Sequence, residues 1–286
     1  MTAGTVLAER ARFRIPHSGR ALFWAAVIVL GMIVLAALFA PLIAPYDPDA
    51  LDLANPNAGA SAAHWLGTDA SGRDILSRTL YGARISLTGP AIAVVVTTIV
   101  GMALGLTAAW VGGAVDWILT RIFDILFAFP ALLLAILVVA LFGTGTVGPV
   151  IAMCIAYIPF VARLTRSLVQ SERSRPYVAA YRVNGFSGGW IATRRVAPNV
   201  APTVLGQAGL NFGYILMDLA ALSFLGLGVQ PPTSDWGSMV QEGAPAVLVG
   251  HPLPALVPAA AVVITVVAVN IVGQELADRI GAGGAA

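Results

Sequence analysis

One carboxylate, Asp218, sits deep in an apolar run, NFGYILMDLAALS, and Gln207, Asn211 and Asn270 add uncharged polar groups to this and a neighbouring run. An ionisable group at bilayer depth costs about 2.5–3.5 kcal/mol on insertion scales, so it faces a cavity or a partner. Asp218 is therefore expected on a translocation path or against a partner subunit; the alternative is a structural pairing with another helix. A second cluster is basic: RLTRSLVQSERSRPYVAAYRVNGFSGGWIATRRVAPNVAP, from Arg163 to Pro202. Arginines flanking Val178, Ala179, Ile191 and Ala192 suit docking into a groove of a partner, with charge steering the approach; the alternative is an ordinary solvated basic loop anchored at the headgroups. A third, GTDASGRD from Gly67, has the Asp and Gly of a capped turn but lacks the carboxylate count of a calcium loop.

Other chemistry lacks its residues. The chain has no lysine, so it cannot supply the lysine of a phosphate-binding loop, and nucleotide must bind elsewhere. His17, His64 and His251 are scattered, and no nucleophile and base stand at recognisable spacing. Cys154 is the only cysteine, so neither a disulfide framework nor a zinc cluster is expected. The expected catalytic, cofactor and metal sites are none.

These residues must be held by membrane helices. The chain of 286 residues is 58% hydrophobic and 10% charged, too apolar for one soluble core. About 20 apolar residues cross a bilayer, and the candidate spans are Ala21–Ala44, Thr88–Trp110, Ile122–Phe142, Val147–Ala162, Val204–Phe224 and Ala255–Val272. The first exceeds the usual length of a signal-peptide core. Ile75 to Ala83 form an amphipathic approach to the second span, and the Pro- and Gly-rich stretch after Phe224 has room for a short interfacial helix. The fold class expected is all-α integral membrane protein with about six spans. Gly101 and Gly105 supply a small face for close helix contact, within the bundle or with a partner.

Basic residues stay on the cytoplasmic side of short loops. With both termini cytoplasmic, Arg10, Arg12, Arg14, Arg20, Arg121, Arg163, Arg166, Arg173, Arg175, Arg182, Arg194, Arg195 and Arg279 fall inside, and only Arg73, Arg78 and Arg84 fall outside. Within the long basic loop, Tyr177–Val183 and Trp190–Val196 suit two short helices, the second stopped by Pro198. Gly185 can join them by taking positive φ; the simpler expectation is an ordinary helix stop.

Three motifs carry a resemblance: WLGTDASGRDILSRTLYGARISL at Trp65–Leu87, YVAAYRVNG with APN at Tyr177–Asn199, and LSFLGLGVQPPTSDWGSM at Leu222–Met239. The chain from about Ala21 resembles the C-type permease subunit of dipeptide and oligopeptide ATP-binding-cassette importers, type I permeases of the bacterial inner membrane. The resemblance implies a transmembrane domain over 21–277 with its core at 87–277, between cytoplasmic segments 1–20 and 278–286. It also implies that the loop 177–199 is the EAA motif, a coupling element seated in an ATPase cleft. That role falls on Tyr177, Val178, Ala179, Ala180, Arg182, Gly185, Pro198 and Asn199. Family members usually carry Glu-Ala-Ala where this chain has Ala179, Ala180 and Tyr181, so the glutamate is absent here.

Partners implied by the resemblance are a homologous second permease, two ABC ATPase subunits or domains that bind ATP and Mg, an extracytoplasmic substrate-binding protein and membrane lipid. No nucleic acid is implied. Cargo other than peptides, such as nickel chelates or glutathione, stays open. A membrane enzyme would need a catalytic cluster, and a solitary carrier would need internal repeats or grouped intramembrane charges.

Overall fold

The computed structural model describes residues 17–283. Arg10, Arg12, Arg14, most of the leader 1–20 and the end of the tail 278–286 lie outside the described residues. Eleven α-helices follow in order: α1 His17–Leu38, α2 Ala40–Ile43, α3 Ile75–Val111, α4 Gly113–Phe127, α5 Ala131–Phe142, α6 Val147–Arg173, α7 Pro176–Val183, α8 Gly188–Ile191, α9 Ala197–Phe224, α10 Trp236–Leu248 and α11 Leu253–Gly283. A π-helical turn, Ala192–Val196, joins α8 to α9.

Four helices, α1, α3, α6 and α11, are long and apolar enough to cross a membrane, and α4 with α5 adds a fifth only as a pair bent by 94°. The expected single span Ile122–Phe142 is thus corrected. Pro130 cannot donate to a helical ladder and disfavours helical backbone at Phe129, so α4 ends and α5 starts afresh in another direction. The 28-residue α9 has the length of a span, but Gln207, Asn211 and Asp218 dilute its apolar surface. It packs against α3, α6 and α11 as a member of the same bundle.

Other boundaries moved outward. The expected span from Thr88 begins at Ile75, and the one ending at Ala162 continues to Arg173. α3, at 37 residues, is about 55 Å long, well beyond a hydrocarbon core of about 30 Å. Its first turns therefore belong outside the bilayer, where Asp74 caps the helix by accepting from Ser77 N at 2.7 Å.

Small residues set the closest packing. A Cβ on Gly101 would lie 2.7 Å from Val161 Cβ, and one on Gly105 would lie 2.3 Å from the Ala162 carbonyl oxygen. The glycine face thus serves α3 against α6 inside this chain. A shared core unites α3, α5, α6 and α9 through Ala93, Leu134, Val139, Met153, Ile215 and Leu222. Outward-facing Ile28, Leu35, Ile92, Ile99, Val263 and Val267 stay exposed on α1, α3 and α11, the surface a lipid-facing bundle presents.

Candidate functional site

At the arginine-rich end of the bundle, α7 and α8 form a compact knob. Pro176 opens α7, where its missing N–H costs nothing, and the helix closes at Gly185, whose φ is +81°. Phe186 N donates to Tyr181 O at 3.1 Å and Gly185 N to Arg182 O at 3.0 Å. This pair of bonds is a Schellman closure, so Gly185 both stops α7 and turns the chain towards α8. Ser187 then caps α8.

The second short helix does not stop at Pro198. The backbone runs from Gly188 through the π turn and directly into α9. Pro198 falls directly after the π turn, in the first turn of α9, without interrupting the helical backbone. The second arm of the knob is therefore the beginning of α9 itself.

A core seats the knob on three long helices. Val178, Ile191, Val196 and Val200 bury against Val169 of α6 and Ala109 of α3. Beneath them the Glu172 carboxylate accepts from Tyr177 Oη at 2.9 Å and Asn199 Nδ2 at 3.1 Å, and pairs with Arg175 Nε at 2.8 Å. Asn199 Nδ2 also donates to Tyr177 Oη at 3.2 Å. Burial, then the bond to Glu172, push the Tyr177 phenol upward, so it keeps its proton and acts as a donor near neutrality. Arg173 Nη1 reaches the last carbonyls of α3, Ala109 O at 2.9 Å and Trp110 O at 3.2 Å. These contacts tie α3, α6, α7 and α9 into one unit. Ala179, Ala180 and Arg182 are left on the exposed face of α7, with Val183 88% exposed beside them.

The polar residues inside the bundle do not converge. Gln207 Nε2 donates to Asn211 Oδ1 at 3.4 Å on α9, and Asn211 is buried. Asn270 of α11 packs on Gly213, where a Cβ would come within 2.9 Å of its Oδ1. Asp218 accepts from Tyr157 Oη of α6 at 2.9 Å. Among the described residues no hydrogen bond links the Gln207–Asn211 pair, Asn270 and the Asp218–Tyr157 pair to one another.

The opposite end is held by a buried ionic cluster. Asp69 Oδ1 accepts from Ser71 N at 2.8 Å and Arg73 N at 3.0 Å, which makes GTDASGRD the capped turn expected. Asp69 Oδ2 then binds Arg73 Nε at 2.7 Å and Arg78 Nη1 at 2.6 Å, and both arginines continue to Glu242 on α10. Beside the cluster, Asp235 caps α10 and accepts from Ser86 Oγ at 2.6 Å, while buried Trp236 donates from Nε1 to Thr79 O at 2.9 Å.

Residues 99–282 match the family described as binding-protein-dependent transport system inner membrane component. The chain belongs to that family. Residues 20–60 match a second description, the N-terminal TM domain of oligopeptide transport permease C. The dipeptide transport system permease protein DppC of Alkalihalophilus pseudofirmus is 37% identical over 254 residues, 89% of this chain and 83% of the relative. The glutathione transport system permease protein GsiD of Pectobacterium atrosepticum is 38% identical, covering 90% of this chain and 85% of its own. The di/tripeptide transport system permease protein DppC of Pseudomonas aeruginosa is 40% identical, covering 87% and 84%.

In this inner membrane permease, sequence reasoning missed Glu172, Arg173 and Glu242. Glu172 had a visible signal as the sole carboxylate between Arg163 and Pro202. Glu242 had none, because its partner Arg78 lies 164 residues away.

Proposed function

We propose that this permease is the C-type half of an ATP-driven importer for dipeptides or short oligopeptides. A homologous second permease completes the path. Two ABC ATPase subunits or domains bind ATP and Mg, and an extracytoplasmic binding protein delivers cargo. Both termini and the knob face the cytoplasm, in line with the arginine distribution. The transmembrane domain is 21–277, with its core at 87–277 and the coupling loop at 177–199.

The observation that carries the reading is the seating of the knob. A coupling element must be rigid, must protrude, and must be joined to helices that move. Val183 and Arg182 protrude, while Val178, Tyr177 and Asn199 lock the same short helix to α3, α6 and α9. A displacement imposed by a closing ATPase pair therefore reaches three long helices at once. Asp218, with Gln207, Asn211 and Asn270, is assigned to the path or its lining helices. Relatives bearing dipeptide and di/tripeptide names support peptide cargo, and those bearing a glutathione name favour a second reading in which glutathione is carried by the same machinery.

The test is to extract the tagged chain in mild detergent, identify near-stoichiometric partners, and reconstitute the complex in vesicles. A second permease and a P-loop ATPase are expected, with ATP-dependent uptake of a labelled dipeptide. Uptake of glutathione without dipeptide would move the cargo to the second reading. A chain that purifies alone and moves solute without ATP would overturn the importer.

A further inference from the structure

We infer that the groove receiving the knob is acidic, with an apolar floor; the inference rests on the docking role proposed above. The knob has used up its only negative charge. Glu172 is buried and engaged by Tyr177, Asn199 and Arg175. Arg173 is held by the carbonyls of Ala109 and Trp110. That leaves Arg182, Arg194 and Arg195 exposed, with no carboxylate within ion-pair distance among the described residues.

Aromatic rings orient two of these cations without neutralising them. Arg182 lies 5.7 Å from the Trp110 ring centroid. Arg195 lies 4.9 Å from Tyr181 and 5.4 Å from Trp190. Such contacts stabilise a guanidinium through the ring quadrupole and leave its full charge on display. On the same knob Val183 is 88% exposed and Phe186, stacked on Trp190, is 42% exposed. Exposed apolar side chains beside uncompensated positive charge are complemented by a hydrophobic pocket with carboxylates at its rim.

Lipid headgroups are the competing anionic surface, and the length of α6 argues against them. The ion pairs Arg163–Asp124 and Arg166–Asp116 mark where polar side chains first gather on α6. From Arg163 the helix continues to Arg173 before the knob begins, a further rise of about 15 Å. The knob is seated on α3, α6 and α9 at the far end of this polar stretch, in reach of a soluble partner.

The test uses the assembled complex with a photoreactive residue at Val183, together with Arg182→Glu and Arg194→Glu in combination and Arg182→Gln alone. The expected result is attachment to the ATPase and loss of ATPase retention by about tenfold on double charge reversal, with a smaller loss for Arg182→Gln. Retention should also fall as salt rises from about 50 to about 500 mM. Replacing the ATPase carboxylate nearest the attachment point by arginine should restore the reversed permease. Attachment to the ATPase with retention unmoved by charge reversal would overturn the acidic groove and leave the docking role standing. Attachment to lipid alone would overturn both.

Discussion

Arg78 of α3 and Glu242 of α10 meet at 3.0 Å across 164 residues of sequence, with Asp69 accepting from the same guanidinium nitrogen, Nη1, at 2.6 Å. Arg78 is 2% exposed, so its charge is stabilised only by these carboxylates and Ser234. The segment before α3 and the helix before α11 are thereby fastened to one another.

Removing Arg78 leaves Asp69 and Glu242 to share Arg73 alone in a site shielded from water. Arg78→Ala should cost about 3–5 kcal/mol of stability, the range for breaking a buried pair from one side. Arg78→Lys should recover little, because an ammonium cannot bridge Asp69, Glu242 and Ser234 with a planar fork. Thermal unfolding in detergent, followed by protease cutting between Ala44 and Asp74, measures both; a wild-type midpoint for Arg78→Ala would show that this ionic cluster does not stabilise the fold.

Gly185 is a conformational requirement rather than a packing one, since a Cβ there meets nothing within 4 Å while φ is +81°. Gly185→Val should cost about 1–2 kcal/mol locally through the left-handed backbone, and Gly185→Asn distinctly less. Membrane levels should be normal while transport and partner ATPase stimulation fall. Equal activity of the valine variant would show that the turn has no part in coupling.

Glu172 accepts two hydrogen bonds and one ion pair beneath the knob. Glu172→Ala leaves the Tyr177 hydroxyl without its acceptor and Asn199 Nδ2 with Tyr177 Oη alone, at a cost of about 1–3 kcal/mol. Glu172→Gln retains an acceptor and should be milder. Amide hydrogen exchange across 176–200 should speed up in the same order, with ATP-driven uptake declining in parallel.

Gly105 admits α6 to the backbone of α3, with space for no more than a hydrogen. Gly105→Leu should force the helices apart at about 1–3 kcal/mol or more. Because α3 and α6 both support the knob, the same variant should lower ATPase retention in the purified complex. Retention and unfolding midpoint both unchanged would disprove the contact.

Asp218 and Tyr157 separate path from scaffold. Asp218→Asn keeps a bond to the phenol, whereas Tyr157→Phe removes it and spares the carboxylate. If the carboxylate serves the path, uptake falls for Asp218→Asn with assembly intact, and Tyr157→Phe has the lesser effect. A loss of assembly in both, with no separate transport defect, identifies a purely structural pair.

Much of this molecule was legible from local chemistry. The short helix expected at Tyr177–Val183 forms and closes at Gly185, and Asp69 and Gly72 announce a turn that forms. Gly101 and Gly105 revealed a close contact, though not that α6 is the helix received. Hydropathy averaged over a window could not see the 94° bend at Ala128–Pro130, because both arms are apolar and the turn is short. Nor could it place the π turn, since Pro198 reads as a stop until the preceding backbone is known to be helical already. Pairings such as Arg78–Glu242 depend on topology and leave no local trace.

The bend has a consequence for the membrane itself. α5 has 12 residues and is about 18 Å long, against about 30 Å of hydrocarbon. Backbone in the turn that follows, Gly143–Thr146, needs a protein or water receiver wherever it meets hydrocarbon. Gly145 N finds such a receiver in Gly228 O at 2.9 Å. α5 alone is therefore shorter than the hydrocarbon, a mismatch relieved by local thinning of the bilayer or by the added length of α4. Acyl-chain length thus enters the energetics of this protein as a mechanical variable, felt most by the flank where α5 and α6 meet.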